Sequence, residues 1–266
     1  MAAYDHGHDH HHHDHDHAHN HDHGREHPAA QMASGGGAKR LVRVERDILA
    51  ENDRLAARNR AFFVQRRILA LNLMSGPGSG KTTLLARTIA DLRGGVPIAV
   101  IEGDQETSFD AERIRATGVP AVQINTGRGC HLDARMVGDA LLTLEPEQGS
   151  VVFIENVGNL VCPAAFDLGE AARVVLLSVT EGDDKPLKYA NMFAAAELML
   201  VTKVDLLPFV PFDPERCSAF ARRTNPEMEI LEVSATSGAG LGRWYDWIAR
   251  RRAGRRTSMP IGTAAE

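Results

Sequence analysis

The sequence predicts an α/β domain with a mainly parallel sheet flanked by helices. Between residues 68 and 251, short apolar runs alternate with segments of helical periodicity. The apolar runs lack a two-residue alternation, which is typical of strands buried on both faces of a sheet. A length of 266 residues suits one such domain with attached segments.

The order of the elements follows from that alternation. We expect strands at 68–74, 98–102, 121–124, 151–155, 173–180, 197–202 and 229–233. We expect helices at 81–92, 111–117, 132–144, 214–223 and 241–251. An amphipathic helix is predicted over 39–67, because apolar residues recur there at near-helical spacing without Pro or Gly. The predicted organisation is therefore a tail and linker (1–38), a helix (39–67), the α/β domain (68–252) and a C-terminal tail (253–266).

The first 27 residues differ sharply in composition from the rest. They hold 12 of the 13 histidines, together with five Asp, one Glu and one Arg, which accounts for the whole net charge of −5. Such a segment cannot bury apolar surface, so we predict disorder. Imidazole suits Ni, Cu and Zn, and the mixture of His with Asp, Gly and Asn favours a natural metal-binding tail over a purification tag.

Composition also sets aside several classes of function. From residue 28 onward the chain is neutral, unlike the one-sided basic surface of a nucleic-acid-binding protein. No apolar run approaches the roughly 20 residues that span a bilayer, and the N-terminus lacks a secretory pattern. Three cysteines are too few for a disulfide framework. We therefore expect a cytoplasmic protein that binds neither membrane nor nucleic acid.

A phosphate-binding loop follows the first predicted strand of the domain. The segment Ser75-Gly76-Pro77-Gly78-Ser79-Gly80-Lys81-Thr82-Thr83 has the Walker A pattern, except that Ser75 replaces the first Gly. In such a P-loop the glycines let backbone N–H groups point at phosphate, the Lys bridges phosphates, and the first Thr hydroxyl reaches Mg²⁺. The fold class is thus a P-loop NTPase, with Lys81 stabilising charge during hydrolysis.

Two later segments favour guanine over adenine. Thr202-Lys203-Val204-Asp205 follows the sixth strand, where G proteins carry Asn/Thr-Lys-x-Asp. The Asp carboxylate would accept from guanine N1–H and the exocyclic amine, a donor pair that adenine lacks. Ser234-Ala235-Thr236 follows the last strand, where G proteins carry Ser-Ala-Lys. We expect Lys203, Asp205, Ser234 and Ala235 to bind the base.

Carboxylates close two further strands. Asp104 ends Ile101-Glu102-Gly103-Asp104, and Glu155 opens Glu155-Asn156-Val157-Gly158. Acidic groups at strand ends beside a phosphate loop are placed to hold Mg²⁺ or to orient the attacking water. We expect Asp104 and Thr82 to serve Mg²⁺, and Glu155 to act at the nucleotide. No side chain is required by its pattern to be a catalytic base, so slow hydrolysis is predicted.

The motifs together resemble one family. LNLMSGPGSGKTTLL, IEGDQETSFDAERI, INTGRGCHLDA, FIENVGNLVCP and VTKVDLLP are similar to the hydrogenase nickel-incorporation GTPases, the accessory protein B family of hydrogenase maturation. The resemblance covers about residues 40–250. It implies a SIMIBI-type GTPase that forms a GTP-dependent homodimer with nucleotide at the interface. It also implies that a partner nickel metallochaperone and the large subunit of [NiFe] hydrogenase are its partners.

The resemblance further implies a metal site. Cys130, His131 and Cys162 match the family's ligands in the GTPase domain, whereas the N-terminal Cys-x-x-Cys-Gly-Cys motif of some relatives is missing before Cys130. Two thiolates and an imidazole suit Ni²⁺ or Zn²⁺, and the sequence does not decide between them. Three ligands leave a four-coordinate ion short by one, which a two-fold axis or water would supply. Cys217 is interpreted as a buried hydrophobic residue.

Two other functions stay open at this point. The urease-maturation GTPases share the class and a His-rich N-terminus, but their metal motif is Cys-Pro-His, where this chain has Gly-Cys-His-Leu and Val-Cys-Pro. A nickel storage or buffering protein with a regulatory GTPase domain is the second alternative. Deletion of residues 1–27 distinguishes storage from GTP-linked delivery, because nickel storage would be lost with the tail and delivery would persist.

Overall fold

Seven parallel strands form one sheet in the computed structural model, which describes the backbone of residues 35–104 and 109–257 and the side chains of 46–104 and 112–254. The spatial order is β3-β2-β4-β1-β5-β6-β7. The strands are β1 (Leu69–Ser75), β2 (Ile98–Asp104), β3 (Ala121–Asn125), β4 (Val151–Gly158), β5 (Ala172–Ser178), β6 (Leu198–Thr202) and β7 (Glu229–Val233). The predicted α/β class and mainly parallel sheet are confirmed.

Helices connect the strands in the order expected for crossover connections. They are α1 (Gly35–Gln65), α2 (Lys81–Leu92), α3 (Phe109–Arg115), α4 (Ala134–Leu144), α5 (Lys185–Lys188), α6 (Ala190–Ala194), α7 (Pro214–Thr224) and α8 (Leu241–Thr257). Short 3₁₀ helices cover Cys162–Ala165 and Val204–Phe209. By contacts the chain divides into Met1–Leu41 and Val42–Glu266, and the sheet belongs to the second unit.

Several predicted boundaries are corrected. The predicted linker 28–38 ends in helix, since α1 begins at Gly35, and the same helix stops at Gln65 because Arg67 adopts a left-handed φ of 56°. The last helix continues past 251 to Thr257, into the segment predicted as a tail. The helix predicted from 132 begins at Ala134, because the Asp133 side chain caps it by accepting from Met136 N. Helices α5 and α6 were missed, since four or five residues carry no readable periodicity.

Two predictions fall on residues outside the described ranges. The His-rich segment 1–27 and its predicted disorder lie there, as does the C-terminal stretch 258–266. Disorder and metal binding by the tail therefore stay predictions. Among the described helices, none is both long and apolar enough to cross a bilayer.

Apolar side chains cover both faces of the sheet. On one face, Leu71 and Phe153 pack in a cluster that includes Leu85 of α2 and the stacked pair Trp244 and Trp247 of α8. The opposite face carries two clusters, one beneath α6 and α7 and the other beneath α1 and α4. Strands that are apolar on both sides have no solvent-facing polar stripe, which explains their continuous apolar sequence.

Helix α1 is anchored to the loops at one edge of the core. Phe63 is fully buried. The Asn59 amide donates to Ala134 O at 2.7 Å and to Leu168 O at 3.1 Å, and Asn52 Oδ1 accepts from Ala134 N at 2.9 Å. Two buried amides thus hold both backbone groups of the first residue of α4.

Gly169 is required for this anchoring. Its φ is +87°, and a Cβ there would lie 2.5 Å from Ala56 O and 2.7 Å from Asn59 Cβ. Gly149 has a similar φ of +76°, but a Cβ there would meet nothing within 4 Å. The two positions therefore share backbone strain and differ in steric contact.

We predict that Gly169→Ala destabilises the chain more than Gly149→Ala. The control should lose about 1–2 kcal/mol of unfolding free energy from the left-handed backbone. The Gly169 variant should lose a further ~1–3 kcal/mol because α1 must shift. Urea unfolding of both variants and the parent chain measures the difference. Equal losses would show that α1 does not rest on Gly169 as described.

Candidate functional site

The phosphate loop closes the carboxyl edge of β1 and leads directly into α2. Gly78 and Gly80 take left-handed φ values of +71° and +93°, which an L side chain adopts only with strain. Lys81 Nζ donates to Ser75 Oγ at 2.8 Å, and Ser79 Oγ donates to the same oxygen at 2.5 Å. Ser75, the departure from the usual Gly, therefore orders the loop through its hydroxyl.

A cleft of about 420 Å³ lies over this loop. Its lining residues are Pro77 to Thr83, Glu102 to Asp104, Arg113, Glu155, Asn156, Gly158 and Lys203. The cleft sits where the carboxyl ends of parallel strands β1, β2 and β4 meet, the usual ligand position in such sheets. Backbone N–H groups, the amino end of α2 and two lysines make it suitable for a polyphosphate.

An oxygen-rich corner of the cleft suits Mg²⁺. Thr82 Oγ1 donates to Glu155 Oε1 at 2.7 Å, and Asp104 lines the same cleft. A hydroxyl and carboxylates are the hard oxygen donors that Mg²⁺ prefers, usually together with water and phosphate oxygens. The residues present therefore fit Mg²⁺, which would neutralise phosphate charge when bound.

The base-recognition segments border a neighbouring pocket of about 290 Å³. Lys203, Asp205, Ala235 and Thr236 line it. Lys203 adopts a left-handed φ of 58°, and its Nζ donates to Gly78 O at 2.6 Å. The structure thus brings the two predicted base segments to one pocket beside the phosphate loop.

Two residues predicted to bind nucleotide also have contacts within the protein. Ser234 is fully buried, and its Oγ accepts from Ser237 N at 3.0 Å, so it shapes the loop that carries Ala235. Gly76 packs beneath Glu181, where a Cβ would lie 2.5 Å from the carboxylate oxygen. Burial raises the pKa of Glu181, partly offset by the backbone N–H of Ser178.

The three candidate metal ligands meet in a second cluster. Cys130, His131 and Cys162 have ligand atoms within 4.8 Å of one another, and the Cys130 and Cys162 sulfurs are 2.7 Å apart. The His131 ring stacks on Phe166 at a centroid distance of 3.9 Å. The Asn159 amide donates to Cys162 Sγ at 3.6 Å. Cys130 and Cys162 are 32 positions apart in the chain, yet they meet with His131 in one three-ligand set.

The surroundings of this cluster make the Cys130 thiol hold its proton more tightly and the His131 imidazole hold its proton less tightly. Cys130 Sγ donates a hydrogen bond to Cys162 Sγ, which raises the pKa of the Cys130 thiol, and burial adds to the rise. Burial also lowers the pKa of His131, opposed by the charge of Asp133, so its imidazole is neutral near pH 7 and can bind a cation. Cys217 differs, because burial raises its thiol pKa to about 12. The interpretation of Cys217 as a buried hydrophobic residue agrees with its packing in the core.

Comparisons with known proteins place this chain in a family. The family model for the CobW/HypB/UreG nucleotide-binding domain matches residues 70–232. The hydrogenase maturation factor HypB of Azotobacter vinelandii is 63% identical over 225 residues, covering 85% of this chain and 74% of that protein. The chain belongs to the hydrogenase maturation factor HypB family.

Solved structures agree with this membership. The HypB crystal structure from Archaeoglobus fulgidus is 41% identical, with a TM-score of 0.72 over 76% of this chain and 99% of that one. The HypB structure from Helicobacter pylori in complex with nickel is 37% identical, with a TM-score of 0.71 over 79% of this chain and 100% of that one. The predicted family and its P-loop fold are confirmed.

Sequence reasoning missed several residues of the two clusters. Arg113 lines the nucleotide cleft and donates to Thr83 Oγ1 at 3.3 Å. Phe166 and Asn159 position His131 and Cys162. Asn156 borders the nucleotide cleft although only its neighbour Glu155 was singled out. Except for Asn159, which lies three residues before Cys162, these contacts join segments that meet only in three dimensions, so no motif spacing marks them.

Proposed function

We propose that this chain is a GTP-hydrolysing nickel metallochaperone that helps to insert Ni²⁺ into the large subunit of [NiFe] hydrogenase. The observation that carries the proposal is the Cys130–His131–Cys162 cluster beside a P-loop nucleotide cleft, in a chain of the HypB family. Soft thiolates with imidazole suit Ni²⁺ as cargo, and the Helicobacter pylori relative is named as a nickel complex.

In this proposal the reaction is the conversion of GTP and water to GDP and phosphate. Lys81 and the amides of the phosphate loop stabilise the charge of the transferred phosphoryl group. Thr82 and Asp104 would hold Mg²⁺. Glu155, which accepts a hydrogen bond from Thr82 Oγ1, would orient the groups around that ion. Hydrolysis is slow, since the described residues of the cleft include no side chain that must act as a base.

Nickel affinity depends on the bound nucleotide in this account. A carrier must bind its metal firmly and later release it, and a nucleotide that distinguishes two conformations can supply that change. A homodimer formed with GTP would bring two clusters together and supply the missing fourth ligand. Val161, which precedes Cys162, is 63% exposed, a suitable apolar contact for a second copy.

The partners are a second nickel metallochaperone and the hydrogenase large subunit. The His-rich residues 1–27 hold many weak, exchanging sites and serve as a nickel reserve for the ordered cluster. Zn²⁺ competes for the same three ligands, because thiolate and imidazole suit both ions. The protein acts in the cytoplasm, where thiols stay reduced.

We predict that Asp205→Asn exchanges guanine specificity for xanthine. The carboxylate accepts two N–H groups of guanine, whereas an amide offers one acceptor and a donor that suits the second carbonyl of xanthine. GTP affinity should fall about 10- to 100-fold while xanthosine triphosphate gains. Competition binding measures both nucleotides, with the exposed Asp246→Asn as matched control. Unchanged GTP affinity in the Asp205 variant would remove the base assignment.

We predict that Cys162→Ala abolishes nucleotide-dependent nickel binding and leaves GTP hydrolysis intact. The metal loses one of two thiolates, whereas the phosphate loop keeps all its contacts. Nickel is titrated at buffered free concentration with GDP or a non-hydrolysable GTP analogue. The thiolate-to-nickel charge-transfer absorption is followed, because histidines of the tail do not produce it.

The matched control is Cys217→Ala, which removes a thiol that is fully buried in the core. It should keep the absorption and its dependence on nucleotide. Parent-like nickel binding by the Cys162 variant would refute the assigned site. A parent chain whose nickel affinity is the same with GDP and analogue would refute the coupling of the two clusters.

A further inference from the structure

We propose that Asn156 and Leu132 transmit the state of the nucleotide to the nickel cluster. Both are positioning residues: Leu132 does not line the nucleotide cleft, and Asn156 borders it but directs its side-chain amide to Leu132, Val157 and Asn72. The inference rests on the proposed function, since it names the residues through which GTP would alter nickel affinity. The argument begins at the strand end that borders the nucleotide cleft.

The end of β4 lies directly against the phosphate loop. Glu155 accepts the hydroxyl of Thr82 at 2.7 Å. Three residues later, a Cβ on Gly158 would lie 3.2 Å from Pro77 Cα, so backbone meets backbone there. Filling the cleft with a γ-phosphate and Mg²⁺ changes the partners of Thr82 and Glu155. The segment 155–158 is therefore the part of β4 that senses nucleotide.

Asn156 links that segment to the nickel-binding loop. Neighbours in a strand point to opposite faces, so its side chain leaves the face used by Glu155. Asn156 is 1% exposed, and its Oδ1 accepts from Leu132 N at 3.1 Å and from Val157 N at 3.0 Å. Its Nδ2 donates to Asn72 Oδ1 at 3.3 Å. A buried amide bonded on both sides has one orientation and moves with its strand.

Leu132 receives contacts from both strand ends that carry the candidate Mg²⁺ carboxylates. It is fully buried and directly follows His131. A Cβ on Gly103 would lie 2.7 to 2.9 Å from three carbons of the Leu132 side chain, and Gly103 directly precedes Asp104. Leu132 thus lies against β2 through its side chain and against β4 through its N–H group.

The nickel loop is fixed at its other end. Ala134, two residues past Leu132, is held by Asn52 and Asn59 of α1 through both its N–H and its carbonyl. Displacement of the strand ends therefore tilts residues 130–132 against a stationary anchor. Cys162 lies on the chain that continues β4, where Asn159 Oδ1 accepts from Val161 N at 2.7 Å. Movement of 155–158 changes the position of Cys162 relative to Cys130.

The test is the ratio of nickel dissociation constants measured with GDP and with a non-hydrolysable GTP analogue. The full-length chain is used, with free Ni²⁺ held by a metal buffer and the nickel–thiolate absorption as readout. The parent chain should show a ratio that differs from one by about fivefold or more. Asn156→Ala should bring the ratio within about twofold of one when both dissociation constants are measured at nucleotide concentrations that saturate the variant.

Asn59→Ala is the matched control. It removes a buried amide that holds the same nickel loop, yet it touches no residue of the nucleotide cleft in its described contacts. Asn52 Oδ1 still accepts from Ala134 N in this variant, so the loop keeps one of its two anchors. The weaker anchoring lowers nickel affinity with either nucleotide and leaves the ratio as in the parent. An Asn156 variant with the parent ratio would overturn the proposal. So would an Asn59 variant that loses the ratio as completely as Asn156→Ala.

Hydrogen exchange of backbone N–H groups provides a second test, which uses the parent chain and therefore does not depend on whether a variant folds. The Leu132 N–H should exchange at rates that differ between the GDP and analogue states, because its acceptor is Asn156. The Met136 N–H, which donates to Asp133 Oδ1 at 2.8 Å on the same helix start, should not change. If nickel affinity depends on the nucleotide but the exchange rate of the Leu132 N–H does not, this inference is overturned and the proposed function stands. A parent chain with a nickel ratio of one would instead overturn the proposed function and this inference together.

Discussion

The parallel pairing of β1 with β4 determines where everything else in the domain can lie. Leu73 is level with Glu155 and Ser75 with Gly158, so the phosphate loop and the Glu155–Gly158 segment leave the sheet side by side. The register shifts between Leu73 and Ser75, which carries β4 past the point where its sequence suggests an end. Thr82 donates to Glu155 just before that shift, and the chain that leaves the sheet after Gly158 leads to Cys162.

The two clusters use different chemistry within one edge of the sheet. The nucleotide cleft offers hard oxygens, backbone N–H groups and lysines, whereas the Cys130–His131–Cys162 cluster offers soft, half-buried donors. Hard oxygen donors suit Mg²⁺ and soft donors suit nickel, so the two proposed metals would not compete for the same atoms. The buried amide of Asn156 lies between the strand ends at the nucleotide cleft and Leu132 beside the metal cluster, whereas Asn59 holds only the loops next to that cluster.

Much of this architecture follows from sequence. The apolar runs specify the strands because both faces are buried, and the glycines with Lys81 specify the loop because phosphate binding needs that backbone. The end of β4 was harder to predict, since Asn156 and Gly158 break the apolar pattern, although Gly158 still pairs with Ser75 of β1. The contact of Phe166 with His131 and of Asn156 with Leu132 could not be predicted, because each joins segments that are distant in sequence. Family resemblance supplied the ligand set, but not what holds it in place.

The most direct test of the account is a pair of crystal structures of this chain, one with GDP and one with a non-hydrolysable GTP analogue and Mg²⁺. Two quantities are compared between the structures: the separation of the Cys130 and Cys162 sulfur atoms, and the contact between Glu155 and Thr82. The account predicts that the two change together, with the Asn156–Leu132 hydrogen bond present in both states. A rearranged Glu155–Gly158 segment with an unchanged sulfur separation would contradict it.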